Sequence, residues 1–150
     1  MEKQLVLDMD GTFVDLYGVQ NWLPMLKAES VEPYATAEPL YDIDVINALL
    51  DILKGYGFRI IVVSWTAKNG SRAYNQAIRK AKIEWLKAHK MPIDEIHVVK
   101  YGTPKYRLVK GNAILIDDEE PNRNSWTRGK AIDPTNRLID TLLDLVIENT

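Results

Sequence analysis

Apolar runs of strand length alternate with segments of helical periodicity along this chain. The apolar runs predict four strands and a candidate fifth, at residues 5–10, 58–65, 96–99, 113–117 and, for the fifth, 130–133. Segments with apolar residues every three or four positions predict amphipathic helices at residues 42–54, 71–90 and 135–148. Thr103-Pro104 has the form of a helix N-cap followed by proline at the first helical position, so a short helix containing Lys105 is expected there.

This alternation predicts an α/β protein: a three-layer Rossmann-like fold whose mostly parallel central sheet is covered by helices on both faces. The chain has 150 residues, a common size for one domain, so a single domain with one core is expected. Residues 16–41 break the pattern, because they are far longer than the usual βα loop of roughly 2–6 residues. This aromatic and proline-rich insert is interpreted either as a lid or specificity element over the site, or as a packed surface loop.

Polar residues interrupt the predicted strands at their carboxyl ends. Asp8 and Asp10 end the first strand, Ser64 ends the second, and Asp117-Asp118 follow the fourth. In parallel sheets these ends meet at one edge, where ligands bind. An unpaired buried charge costs several kcal/mol, but Mg²⁺ takes oxygen ligands and is usually held by a few carboxylates and substrate phosphate. The sequence therefore predicts a magnesium and phosphate site at this edge.

The predicted contacts to substrate are the two residues after Asp10 and the two after Ser64: Gly11, Thr12, Trp65 and Thr66. Gly11 permits a sharp turn, and Thr12 begins a loop whose backbone N–H groups would cradle a phosphate. Trp65 offers an aromatic face on which a base can stack.

Composition narrows the classes of protein to which the chain can belong. It carries 19 Lys+Arg against 21 Asp+Glu, with neither sign gathered in a long run, which argues against an extended nucleic-acid surface. The absence of cysteine excludes disulfides, thiolate metal sites and a cysteine nucleophile. No apolar run approaches ~18 residues and the N-terminus leads directly into a strand, so a cytoplasmic protein without membrane attachment is expected.

The order of these motifs resembles the haloacid dehalogenase (HAD) superfamily, most of whose members are magnesium-dependent phosphohydrolases. DMDGT resembles its first motif, Asp-x-Asp-Gly-Thr, and IVVS ending at Ser64 is similar to the second. A lysine around Lys105 corresponds to the third motif, and LIDDEEPN, with Asp117-Asp118, to the fourth. The resemblance spans residues 5–133 and is to a small member with a short insert in place of a large cap domain.

The resemblance implies a role for each catalytic residue. Asp8 would be the nucleophile that forms an aspartyl-phosphate, and Asp10 the general acid and then the general base. Ser64 would hydrogen-bond a phosphoryl oxygen. Lys105 would neutralise developing charge, with Lys100 and Lys110 as open alternatives.

The resemblance also implies the ligands of the cofactor, Mg²⁺. Asp8 and the backbone carbonyl of Asp10 would bind the ion together with Asp117. Asp118 would be a further ligand or would orient the others.

The leading hypothesis is thus a magnesium-dependent phosphomonoester phosphatase with a small phosphorylated substrate, for which a nucleotide or a nucleic-acid end is one candidate class. One alternative is a non-catalytic, metal-dependent module that binds phosphate or a nucleotide on the same fold. Another is a receiver-type signalling domain, whose phosphorylated aspartate would lie on a later strand than the acid pair.

Overall fold

A computed structural model describes residues 2–150, which form an α/β fold around a five-stranded, entirely parallel sheet. The strands are β1 (Lys3–Leu7), β2 (Phe58–Trp65), β3 (Glu95–Val99), β4 (Ile114–Ile116) and β5 (Ala131–Ile132). The α-helices are α1 (Trp22–Lys27), α2 (Glu32–Thr36), α3 (Ile43–Gly55), α4 (Arg72–Ala88), α5 (Glu120–Ser125) and α6 (Leu138–Glu148). Short 3-10 helices span Leu16–Gly18 and Lys105–Leu108. Within this described part of the chain, no helix is long and apolar enough to cross a membrane.

The strand order is β3-β2-β1-β4-β5. The chain builds outward from β1 through β2 to β3, then returns to the other side of β1 for β4 and β5. This is the Rossmann order without its last strand, whereas receiver domains have the flavodoxin-like order, so that alternative does not fit. The order reverses between β1 and β4, and Asp8 and Asp117 directly follow those two strands.

Local sequence explains the main elements. Asp42 caps α3 by accepting hydrogen bonds from the backbone N–H groups of Asp44 and Val45. The unbroken apolar run of β2 is buried on both faces, as expected for an inner strand of a parallel sheet. Along β1, Leu5 and Leu7 join the larger core with α3 and α6, while Val6 faces the opposite side.

Three details differ from the sequence-based expectations. The first strand ends at Leu7 because the Met9 carbonyl accepts the N–H groups of Thr12, Phe13 and Val14 and so turns the chain out of the sheet. Pro104 is the N-cap of the 3-10 helix and not its first residue, although Lys105 does begin that helix. The short helix α5 between β4 and β5 was not predicted, because six residues are too few to show a periodicity.

The insert at residues 16–41 is a packed element built on α4. Leu16 and Tyr34 of the insert share a small core with Ile78 on α4. The Glu29 carboxylate accepts hydrogen bonds from the backbone N–H of Ser71, at 2.9 Å, and from its hydroxyl, at 2.6 Å. The insert is therefore fixed to the start and middle of α4.

Asp94 joins the loop before β3 to the edge of β2. Its carboxylate accepts the backbone N–H of Ile60 at 2.8 Å and pairs with Lys54 at 3.0 Å. Burial on its own would raise the pKa of Asp94, but the Ile60 N–H and the Lys54 ammonium hold that pKa below its ordinary value.

We therefore expect Asp94→Asn to lower the free energy of unfolding by about 1.5 kcal/mol at pH 7. A lowered native pKa stabilises the fold above the unfolded pKa of about 4, and this contribution is lost as the pH falls through the native value. The gap between wild type and variant, measured by urea unfolding, should thus shrink at pH 3. Asp51→Asn, at an exposed position of α3, is the control. A gap of the same size at both pH values would contradict this assignment.

Candidate functional site

A buried lysine joins the ends of β1 and β4. The Lys105 ammonium donates hydrogen bonds to Asp8 Oδ1 at 2.7 Å and to Asp117 Oδ2 at 2.8 Å. Its side chain is 3% exposed, and that of Asp117 is fully buried. Lys100 and Lys110 are exposed. The structure thus brings Lys105, of the three lysines considered, to the predicted edge of the sheet.

Asp118 brings a third carboxylate to the same point. One oxygen from each of Asp8, Asp117 and Asp118 lies within 4.8 Å of the others. The buried Thr12 hydroxyl is 3.0 Å from Asp8 Oδ2 and 3.3 Å from Asp118 Oδ1, so it bridges two of the acids. Gly11 has φ +81°, and a Cβ there would collide with the Asp118 carboxylate. A glycine is therefore required where the chain passes the acids.

The acids perturb one another strongly. Burial, a hydrogen bond with Asp8 and the charges of the neighbouring acids raise the pKa of Asp118 to about 8. Burial and the charge of Asp8 also raise the pKa of Asp117, to about 6, despite Lys105. Burial would lower the pKa of Lys105, but the charges of Asp8 and Asp117 raise it above its ordinary value. Lys105 is accordingly a permanent cation at neutral pH.

The donor set suits a hard divalent cation. All three converging groups are carboxylates, and the ammonium of Lys105 forms ion pairs with two of them, Asp8 and Asp117. Mg²⁺ prefers such oxygen ligands. The Asp10 side chain lies outside this group, and only its backbone carbonyl stays a predicted ligand.

Further residues that the sequence analysis missed hold Asp117 in place. Asn122 Nδ2 donates to Asp117 Oδ2 at 3.0 Å, and the Glu119 N–H donates to Asp117 Oδ1 at 2.9 Å. Arg123 donates to the Asp117 backbone carbonyl at 3.0 Å. Both side chains come from α5, which is too short to show a periodicity, so the hydrophobic pattern gave no signal for them.

Asp10 and Ser64 meet a second buried lysine, Lys82, which the sequence analysis also missed. Its ammonium donates to Asp10 Oδ2 at 2.8 Å, Ser64 Oγ at 2.7 Å and the Trp65 carbonyl at 2.7 Å. A signal was present in the sequence, since Lys82 lies four residues after Ile78 and three before Trp85, in line with the apolar face of α4.

A cleft of about 620 Å³ opens above these groups. Its lining includes Asp8, Asp10, Ser64 and Lys105, together with much of the insert. Aromatic side chains form a large part of its wall: Tyr17, Trp22, Tyr34, Trp65, Tyr74 and Tyr101. Tyr17 contacts Trp22 edge-on at 5.0 Å between ring centroids, and Trp65 lies 4.9 Å from Tyr101.

The four predicted substrate contacts divide into two pairs. The N–H groups of Gly11 and Thr12 donate to Val14 and Met9 carbonyls, so they shape the turn, and their contact with substrate stays a prediction. Trp65 and Thr66 line the cleft. The buried Thr66 hydroxyl has no hydrogen-bond partner among residues 2–150, and its contact with substrate stays a prediction.

Comparison with known proteins adds no assignment: the chain matched no protein-family model, and a search of curated proteins found no similar sequence. The resemblance to the HAD superfamily therefore stays a prediction based on the four motifs.

Three carboxylates converge on one lysine at this site, so we expect a bound divalent cation to stabilise the protein. The pKa of Asp118 is about 4 in the unfolded chain and is raised in the fold. Its ionisation therefore lowers the free energy of unfolding progressively as the pH rises from about 4 towards 8. In EDTA at pH 8, Asp118→Asn should therefore be more stable than wild type. At a Mg²⁺ concentration about 100 times its Kd, wild type should gain about 2.7 kcal/mol, and the variant much less.

Urea unfolding with EDTA or MgCl₂ measures both effects. Asp144→Asn, at an exposed position of α6, should respond to Mg²⁺ as wild type does. Equal Mg²⁺ stabilisation of wild type and Asp118→Asn would show that the ion binds elsewhere.

Proposed function

We propose that the protein is a magnesium-dependent phosphomonoesterase of the HAD type that works through a phospho-Asp8 intermediate. One observation carries the proposal: the Asp8 carboxylate lines the floor of an open cleft, 2.7 Å from a buried lysine and within 4.8 Å of two further acids. A carboxylate paired with a buried lysine and lining an open cleft is suited to attack a phosphoryl group.

In the first step an oxygen of Asp8 bonds to phosphorus, and the bond from phosphorus to the leaving oxygen breaks. Asp10, which lines the same cleft, gives its proton to that leaving oxygen. The Ser64 hydroxyl and the Lys105 ammonium stabilise the charge that develops on the phosphoryl oxygens.

In the second step Asp10 takes a proton from water, whose oxygen bonds to the phosphorus of phospho-Asp8. The bond between phosphorus and the Asp8 oxygen breaks, so that inorganic phosphate leaves and the Asp8 carboxylate is restored. Asp10 then carries the proton that the next cycle requires.

Asp8, Asp117, Asp118 and the Asp10 backbone carbonyl would hold the Mg²⁺. When bound, the ion screens the repulsion between the Asp8 carboxylate and the phosphate and polarises the phosphoryl oxygens.

The substrate we propose is a nucleotide or the end of a nucleic-acid strand. A volume of about 620 Å³ accommodates a ligand larger than phosphate. Two aromatic pairs line the same cleft as Asp8: Tyr17–Trp22 from the insert, and Trp65–Tyr101 from the end of β2 and the loop after β3. Aromatic faces of this kind stack on bases without regard to sequence.

Replacing each of the two acids of the first motif with asparagine should impair hydrolysis in a different way. Asp8→Asn should abolish hydrolysis of para-nitrophenyl phosphate, because no intermediate forms. Asp10→Asn should slow turnover by roughly 100-fold to 10,000-fold. It should also accumulate phospho-Asp8, because nitrophenolate leaves without a proton whereas the intermediate still needs a base.

Steady-state rates with Mg²⁺ or EDTA measure turnover, and intact mass with hydroxylamine sensitivity detects the acyl phosphate. Asp144→Asn is the matched control. Undiminished turnover by Asp8→Asn would refute the mechanism. Nucleotide binding without turnover by wild type across nucleotides, sugar phosphates and phosphorylated oligonucleotides would favour the non-catalytic module.

The aromatic wall predicts selectivity for substrates that carry a base. Trp22→Ala should raise KM for a nucleoside 5′-monophosphate about tenfold, the value of one stacking contact, with kcat nearly unchanged. KM for glycerol phosphate should not move. Tyr56→Ala, at an exposed tyrosine outside the cleft, is the control. Equal losses on both substrates would exclude stacking on Trp22.

A further inference from the structure

The Lys82 ammonium is saturated by acceptors from the edge of the proposed site. Its side chain is 2% exposed, and its three N–H groups match three acceptors, Asp10 Oδ2, Ser64 Oγ and the Trp65 carbonyl. The acceptors come from two segments, the turn after β1 and the end of β2. The lysine that joins them comes from a third element, α4.

This arrangement fixes the direction of the Ser64 hydroxyl. Because an ammonium can only donate, Ser64 Oγ must accept from Lys82, and its own hydrogen is directed away from that contact. Ser64 also lines the cleft. Lys82 thereby leaves Ser64 as a hydrogen-bond donor, which is what a phosphoryl oxygen requires.

The same contact fixes the Asp10 carboxylate. Lys82 holds Oδ2 at 2.8 Å, and no other side chain of residues 2–150 is within hydrogen-bond distance of that carboxylate. The other oxygen, Oδ1, is therefore left for a leaving group or a water. Without Lys82, the Asp10 side chain, 17% exposed, would lose its only anchoring contact.

A lysine is a costly way to fill this position if packing is its only purpose. An apolar side chain of similar length would extend the apolar face of α4 and would avoid burying a charge. The Tyr34 ring, whose centroid is 5.1 Å from the ammonium, adds a favourable cation contact from the insert.

We propose that Lys82 is a positioning residue for the reaction, which orients the carboxylate of Asp10 and makes the hydroxyl of Ser64 a donor. This inference rests on the phosphatase function proposed above. It assigns to α4 a part in the site, although Lys82 itself is not placed in contact with substrate.

The test compares Lys82→Met with Lys80→Met, an exposed lysine on the same helix, each at a temperature where circular dichroism shows the variant folded. With para-nitrophenyl phosphate and Mg²⁺, Lys82→Met should lose about 100-fold in kcat, the lower range for loss of an acid–base group. It should accumulate phospho-Asp8 as Asp10→Asn does. Lys80→Met should match wild type in both respects.

A double variant separates positioning from a structural role. Because Lys82 acts through Asp10, adding Lys82→Met to Asp10→Asn should cost much less than the same substitution costs in wild type. Losses that multiply, or a Lys82→Met protein with a lowered Tm but wild-type kcat and no phosphoenzyme, would overturn the inference.

Lys82→Gln serves if Lys82→Met does not fold, because its amide is polar but has only two N–H groups for the three acceptors and carries no charge. Phosphoenzyme accumulation in Lys82→Gln supports positioning, and a wild-type level refutes it. If the proposed function is wrong, wild type itself will show no Mg²⁺-dependent hydrolysis. If only this inference is wrong, wild type will be active.

Discussion

The ion pairs of Lys105 make the meeting of β1 and β4 possible. Two adjacent strands that each end in a buried aspartate would repel each other at the switch point of the sheet. The Lys105 ammonium, 2.7 and 2.8 Å from the two carboxylates, offsets that repulsion. Removing one partner of such a buried pair leaves an uncompensated charge, which typically costs 3–5 kcal/mol. The Thr12 hydroxyl then donates to the remaining oxygen of Asp8, and the Glu119 N–H to that of Asp117, so the geometry of the whole cluster depends on this cation.

The edge on which the site lies was predictable because its signals are local. The apolar run of β1 ends in Asp8, the run of β4 ends in Asp117, and the parallel order of strands brings those ends together. Asp8 and Asp10 both line the cleft, whereas Met9 between them is buried in the core. The sequence left three candidate lysines for this site. In the structure, the 3-10 helix that follows Pro104 places Lys105 within hydrogen-bond distance of Asp8 and Asp117.

The missed residues are polar side chains that the hydrophobic pattern could not reveal, for two different reasons. Lys82 follows the periodicity of an apolar face, and its acceptors lie 17, 18 and 72 residues away in sequence. Asn122 belongs to a six-residue helix that has too few turns to show a pattern. The helices of the insert are equally short, and their folding depends on packing against α4, for which the sequence of the insert alone carries no periodic signal.

Asp8 and Asp10 are separated by one residue, yet they are anchored to different parts of the fold. Asp8 is tied through Lys105 to Asp117, directly after β4. Asp10 is tied through Lys82 to β2 and α4, and α4 is also the platform on which the insert packs. The fold thereby anchors the proposed nucleophile and the proposed proton carrier to different elements, and it anchors the second to the helix on which the insert packs.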